Sequence, residues 1–166
     1  DMPLSMRAPK TPHGYTVMMC GLIVNDGIFF AIPMCTRGAK EVVQCLHEMR
    51  VANSIEAPVL IVVFCDNERA VVISQEVSIY LRANTGRYIA TIPGVKSTAG
   101  LQERTVRTIA EGTSCLLARA GMPVIFWPYA APTWCHNFRI LDTHNRPRRG
   151  HRVCRLPALP FGLLGF

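Results

Sequence analysis

Apolar positions along this chain fall into runs of two different periods. Residues 15–24, YTVMMCGLIV, form an apolar stretch of strand length, and Asn25-Asp26-Gly27 is a tight-turn sequence leading into IFFAIPM at 28–34. Together they predict a hairpin. Thr36 is placed to cap a helix in which Val42, Val43, Leu46 and Met49 recur at helical spacing until Asn53 and Ser54. The run VLIVVF at 59–64 has no polar alternation, as expected of a central strand covered on both faces, and it ends at Cys65-Asp66-Asn67. Ser74 is placed to cap a short helix closed by Gly86, and RYIATI at 87–92 reads as a further strand. A loop over 93–100 then precedes a helix running to Gly121. Pro123 opens a last helical stretch, FWPYAAPTWCHNF, which Pro128 and Pro132 restrict or kink. The order predicts an α/β fold whose helices cover both faces of a mixed sheet.

Length and composition narrow this picture. The chain has 166 residues, 49% of them hydrophobic and 17% charged, which fits one compact domain and excludes a disordered, solvating chain. No apolar run approaches the ~20 residues of a membrane span, so no membrane partner is expected. The chain opens on Asp1 and closes on apolar LPFGLLGF, the pattern of a piece of a longer polyprotein, with no visible signal peptide. Cysteines 20, 35, 45, 65, 115, 135 and 154 are odd in number, fall mostly in apolar patterns and include no C-x-x-C pair. Reduced, buried thiols in an intracellular setting, nuclear or in a cytoplasmic particle, are expected rather than a disulfide framework or a secreted protein.

The formal charge of +7 is uneven. Six arginines (139, 146, 148, 149, 152, 155) and one acid, Asp142, lie between 139 and 155, where Asn145, Pro147 and Gly150 break any regular pattern. The division expected is a core over 1–138 and a basic, irregular extension over 139–166. Such arginines gain affinity for a phosphate backbone through counterion release, and Arg146, Arg148 and Arg149 are the candidates for DNA contact; the alternative is a solvated linker.

Three acids carry the candidate chemistry. Asp66 follows the most apolar strand, at the sheet edge where open α/β folds place ligands, although taken alone a strand-end cap or an Asx turn with Asn67 explains it better. Glu103 alone reads as an acid offsetting a helix dipole. The 36 residues between them encode a helix, a strand and a loop before the second helix, a return that can bring the two together. Asp1 precedes the hairpin, where a first strand would lie beside 59–64. Clustered carboxylates repel one another unless they bind hard divalent cations, and Mg²⁺ suits all-oxygen ligation that keeps water positions open. A pair of such ions serves in-line phosphodiester displacement.

These residues resemble the catalytic core of retroviral-type integrases, the DDE branch of the RNase H-like fold, and in particular those of copia-type LTR retrotransposons. The opening DMPLS resembles the family's D-x-x-x-P segment before a hairpin, VVFCDN its D-N motif after an apolar strand, and Pro93 to Arg104 its P-x-x-x-x-x-N/A-G-x-x-E-R motif. Downstream, FWPYAAPTWCHN resembles a W-x-x-A…N helix and LPFG a terminal F-G box. The resemblance covers almost the whole chain and implies a five-stranded mixed sheet flanked by helices. It implies that Asp1, Asp66 and Glu103 are catalytic ligands of Mg²⁺ or Mn²⁺, two ions in all. It implies 3′-end processing and strand transfer on DNA, both element ends and target, by a self-associating protein with no small-molecule substrate. Lys96 and Ser97, in the loop before the helix, and Arg104 and Arg107 on the helix are the implied DNA contacts; for Arg107 an ion pair with Glu103 or Glu111 is the alternative. Where the family has D-N-G-x-E-F, this chain has DNERAVV. A decayed or repurposed core that binds DNA or a protein without catalysis is therefore the second reading.

The remaining candidates are weaker. Cys135, His136, His144, His151 and Cys154 match no standard zinc spacing. Trp127, Tyr129 and Trp134 suit core packing better than base stacking.

Overall fold

The structure is a computed structural model and describes residues 11, 13–24, 27–55, 61–65, 74–90 and 96–145. The elements run β1 (Val17–Ile23), β2 (Ile28–Met34), α1 (Ala39–Ala52), β3 (Ile61–Cys65), α2 (Gln75–Ala83), β4 (Gly86–Ala90), α3 (Lys96–Ala120), a short 3-10 turn (Val124–Phe126) and α4 (Trp127–Asn145). They form two compact units, one built from residues up to Pro33 together with those from Arg104 onward, the other from Met34–Glu103.

In the first unit β1 and β2 are hydrogen-bonded neighbours. Only four residues connect them, too few for anything but an antiparallel return, and Gly27 takes the left-handed φ of 59° that such a turn requires. The core joins Ala31 of β2, Ile109 of α3, and Ala131 and Cys135 of α4, with Met18, Cys20, Phe29 and Trp134 packed against it. Helix α3 buries Thr105, Ile109, Thr113 and Leu117, an i, i+4 row. Its C-terminus closes with Gly121 at φ 63°, where Met122 N donates to Leu117 O at 3.0 Å and Gly121 N to Ala118 O at 3.2 Å, the Schellman pattern. Helix α4 contains Pro132, whose missing N–H leaves the carbonyl four residues back without its helical donor.

In the second unit α1 packs on α2, α2 on β4, and β3 pairs with β4. The core comprises Val42, Cys45, Leu46 and Met49 of α1 with Val77 and Leu81 of α2. The start of α1 is held by Glu41, whose carboxylate accepts from Cys35 N at 2.7 Å, from Thr36 N at 3.1 Å and from Thr36 Oγ1 at 2.6 Å. Thr36 thus works through Glu41, while Gly38 is the N-cap residue. Ser74 caps α2 as expected, accepting from Val77 N at 3.3 Å. Gly86 does not close that helix. Asn84 does, its Nδ2 donating to Tyr80 O at 2.8 Å, followed by Thr85 at φ 55°, and Gly86 opens β4. Arg50, buried near the end of α1, donates from Nη1 to Asn84 O at 3.1 Å and so ties the C-terminal ends of α1 and α2.

The described strands form two two-stranded sheets, β1-β2 and β3-β4, rather than one five-stranded sheet. The segment beginning at Asp1, expected to hold a first strand beside 59–64, lies outside the described residues. Val59, Leu60, Thr91 and Ile92, expected in strands, also lie outside them.

Candidate functional site

The parallel pairing of β3 and β4 sets the geometry. Its register runs from Ile61 opposite Gly86 to Cys65 opposite Ala90, so both strands end at the same edge. Asp66 is the next residue after Cys65, and it lies outside the described residues, as does Asp1. From Ala90 a five-residue connection, 91–95, leads to α3. Five residues span at most about 17 Å, which keeps the start of α3 within reach of that edge. Glu103 follows seven residues into the helix, about 10 Å along its axis, and it is solvent-exposed.

The helix begins earlier than its sequence suggests. Lys96 and Ser97 belong to the first turn of α3 rather than to a loop, which is a correction to the expected loop over 93–100. Pro93 and Gly94 lie outside the described residues, and Gly100 lies within the helix, because one glycine costs only about 1 kcal/mol inside a long helix. Helical spacing then aligns positions 96, 100, 103 and 107 on one face, with Arg104 turned by about 70° from the centre of that face. Arg104 and Arg107 are both exposed, on the solvent side of the buried row through Ile109. Arg146, Arg148 and Arg149 lie outside the described residues, and α4 continues past Arg139 to Asn145.

The inward side of α3 carries a residue that sequence reasoning passed over. Gln102 Nε2 is buried with no hydrogen-bond partner. Its signal was legible, since 102, 106, 109 and 113 make an inward row and Gln102 is the polar intruder beside Val106 and Ile109.

Among the described residues no three His, Cys, Asp or Glu side chains gather where they could hold a metal ion. Of the weaker zinc candidates, His151 and Cys154 lie outside the described residues, and Cys135 is a core thiol whose pKa burial pushes up to about 12. Burial likewise raises Cys20 and Cys45 to about 11. Cys35 and Cys115 depart from the expectation of buried thiols, being exposed on the β2–α1 connection and on the outer side of α3. Trp134 packs as expected, its ring 5.8 Å from Phe29 and 5.0 Å from Phe138. Of the three expected metal ligands, only Glu103 can be tested for fit. An exposed carboxylate, open to water on the same helical face as a basic position, suits a hard cation that keeps water positions.

No protein-family profile and no curated protein matches the sequence. Solved structures do match in fold. The catalytic core domain of BIV integrase superposes with a TM-score of 0.52 at 12% identity, covering 79% of this chain and 90% of that one. A chain of the simian T-cell lymphotropic virus intasome in complex with PP2A regulatory subunit B56 gamma gives a TM-score of 0.61 at 17% identity, covering 91% of this chain. The present chain spans 55% of that second protein's length. The fold is thus α/β and is similar to that of these two chains. Among the described residues no helix is long and apolar enough to cross a membrane.

Proposed function

We propose that this chain is the catalytic core of a retrotransposon integrase of the copia type, acting on DNA by divalent-metal-dependent 3′-end processing and strand transfer. The observation that carries the reading is the common end of β3 and β4. Cys65 opposite Ala90 sends the chain toward Asp66 and toward α3 from one sheet edge, and Glu103 stands exposed two turns into that helix. Likeness of fold to the BIV integrase core and to a chain of a retroviral intasome supports the same assignment.

In this reading Asp1, Asp66 and Glu103 hold Mg²⁺ or Mn²⁺, which when bound activates the attacking oxygen and stabilises the leaving one. Glu103 contributes a carboxylate held by the long helix α3 and open to substrate. Arg104 and Arg107 place positive charge beside it for DNA phosphates, and Lys96 and Ser97 extend that contact to the first helical turn. Arg146, Arg148 and Arg149 supply further backbone contact, and copies of the chain associate to present the two element ends together.

The test is a strand-transfer assay with element-end and target DNA in Mg²⁺. Glu103→Gln is expected to lower joining by at least ~100-fold while leaving the melting temperature unchanged, since an exposed side chain contributes little to folding. Joining that survives this substitution overturns the site assignment. DNA binding by the wild type without any metal-dependent joining favours the decayed or repurposed core instead.

A further inference from the structure

Helices α1 and α2 meet along a seam that is more polar than packing requires. One turn of α1 carries His47 and Arg50, three positions apart, and faces one turn of α2 carrying Tyr80 and Asn84, four apart. The His47 and Tyr80 rings meet edge to face at 6.5 Å, and Arg50 Nη1 donates to Asn84 O at 3.1 Å. Arg50 is only 6% exposed, yet that carbonyl is the one acceptor it has among the described residues, although a guanidinium carries five N–H donors. Buried guanidinium groups are ordinarily matched by an anion, because an uncompensated charge inside a protein is costly. Of the acids on these two helices, Glu41 is taken by Cys35 and Thr36, Glu48 by Gln44, and Glu76 is exposed. Tyr80 repeats the pattern, its Oη being buried without a partner where phenylalanine would pack as well. Burial holds the Tyr80 phenol above its ordinary value against the opposing charge of Arg50, so the two groups sense each other and the hydroxyl stays a donor at neutral pH.

We infer that the seam between α1 and α2 is a binding site for a phosphate group, held by the Arg50 guanidinium and the Tyr80 hydroxyl. The planar guanidinium offers parallel N–H groups to two oxygens, and the phenol donates to a third from the facing helix. A carboxylate, with two oxygens in one plane, fits donors from two helices less fully than a tetrahedral ion does. The exposed His47 ring lies against Tyr80, so the seam opens to solvent on that side. None of the acids read as metal ligands takes part.

The experiment is a titration of the full chain with inorganic phosphate, followed by phosphorus NMR line width at an ionic strength held constant with NaCl. The wild type is expected to bind phosphate saturably. Tyr80→Phe removes one donor to a charged ligand and is expected to weaken binding by at least ~10-fold. The same variant is expected to melt no lower than the wild type in NaCl alone, because the hydroxyl it removes has no partner in the folded chain. Arg50→Met is expected to abolish binding; if it does not fold, Tyr80→Phe decides the question. Equal affinity of the wild type and Tyr80→Phe would place the ion on surface charge elsewhere and overturn the inference, as would no saturable binding by the wild type. Acetate displacing phosphate at equal concentration would make the ligand a carboxylate, and that result also overturns it.

Discussion

Two glycines on α3 show how differently one residue type can act. At Gly112 an added Cβ would run into the indole ring of Trp134, so the ring packs directly against the helix backbone. At Gly100 the same Cβ would meet nothing within 4 Å. Replacement by alanine gains about 1 kcal/mol of helix propensity in either place. At Gly112 that gain competes with overpacking, typically 1–3 kcal/mol in a dense core, and the overpacking wins because the indole is itself packed in a cluster with Phe29 and Phe138, which also touch each other. Gly112→Ala is expected to destabilise the chain by about 1–2 kcal/mol, and Gly100→Ala to stabilise it by about 0.5–1 kcal/mol, as read by urea unfolding. Both residues look alike in the sequence. What differs is a tryptophan more than twenty residues away, which no helical period reveals.

Elements were legible where their signals are local. Ser74 caps α2, Gly27 takes its left-handed φ just before β2, and β3 ends at Cys65, each set by residues within a few positions. The helix α1 shows a local device with a measurable pH dependence. Hydrogen bonds from Thr36, first its hydroxyl and then its backbone N–H, hold the Glu41 carboxyl below its ordinary value against a small opposing desolvation, with Cys35 N–H adding to the effect. A carboxyl whose folded value is depressed contributes stability above its unfolded value, and that contribution is lost as the pH falls through the folded one. Glu41→Gln is therefore expected to destabilise the chain at about pH 7 and to differ progressively less from the wild type as the pH falls from the unfolded carboxyl value through the lower folded one. Equal destabilisation across that range would assign Glu41 a packing role. The start of α3 was less legible, because Lys96, Ser97 and Thr98 are compatible with either loop or first turn and Pro93-Gly94 marks only a break nearby.

For the molecule as a whole, charge makes the clearest prediction. A net charge of +7 with arginines concentrated after 139 favours polyanions at long range. If Arg146, Arg148 and Arg149 contact phosphates, replacing all three with alanine lowers the slope of log affinity against log salt by up to about 2–3 for duplex DNA, equally for any sequence. An unchanged slope would mark the segment as a solvated linker.

The sequence by itself determined the succession of elements, the candidate acids and the basic segment, because periodicity, turn chemistry and charge are properties of neighbouring residues. Only tertiary structure decided the strand pairing, which among the described residues gives two small sheets where one was expected, since a ladder depends on residues far apart in the chain. Tertiary structure alone also exposed Cys35 and Cys115 while burying Cys20, Cys45 and Cys135, and left the Gln102 amide without a partner. Burial is conferred by whatever packs on a residue, and that is settled only when distant segments close upon one another.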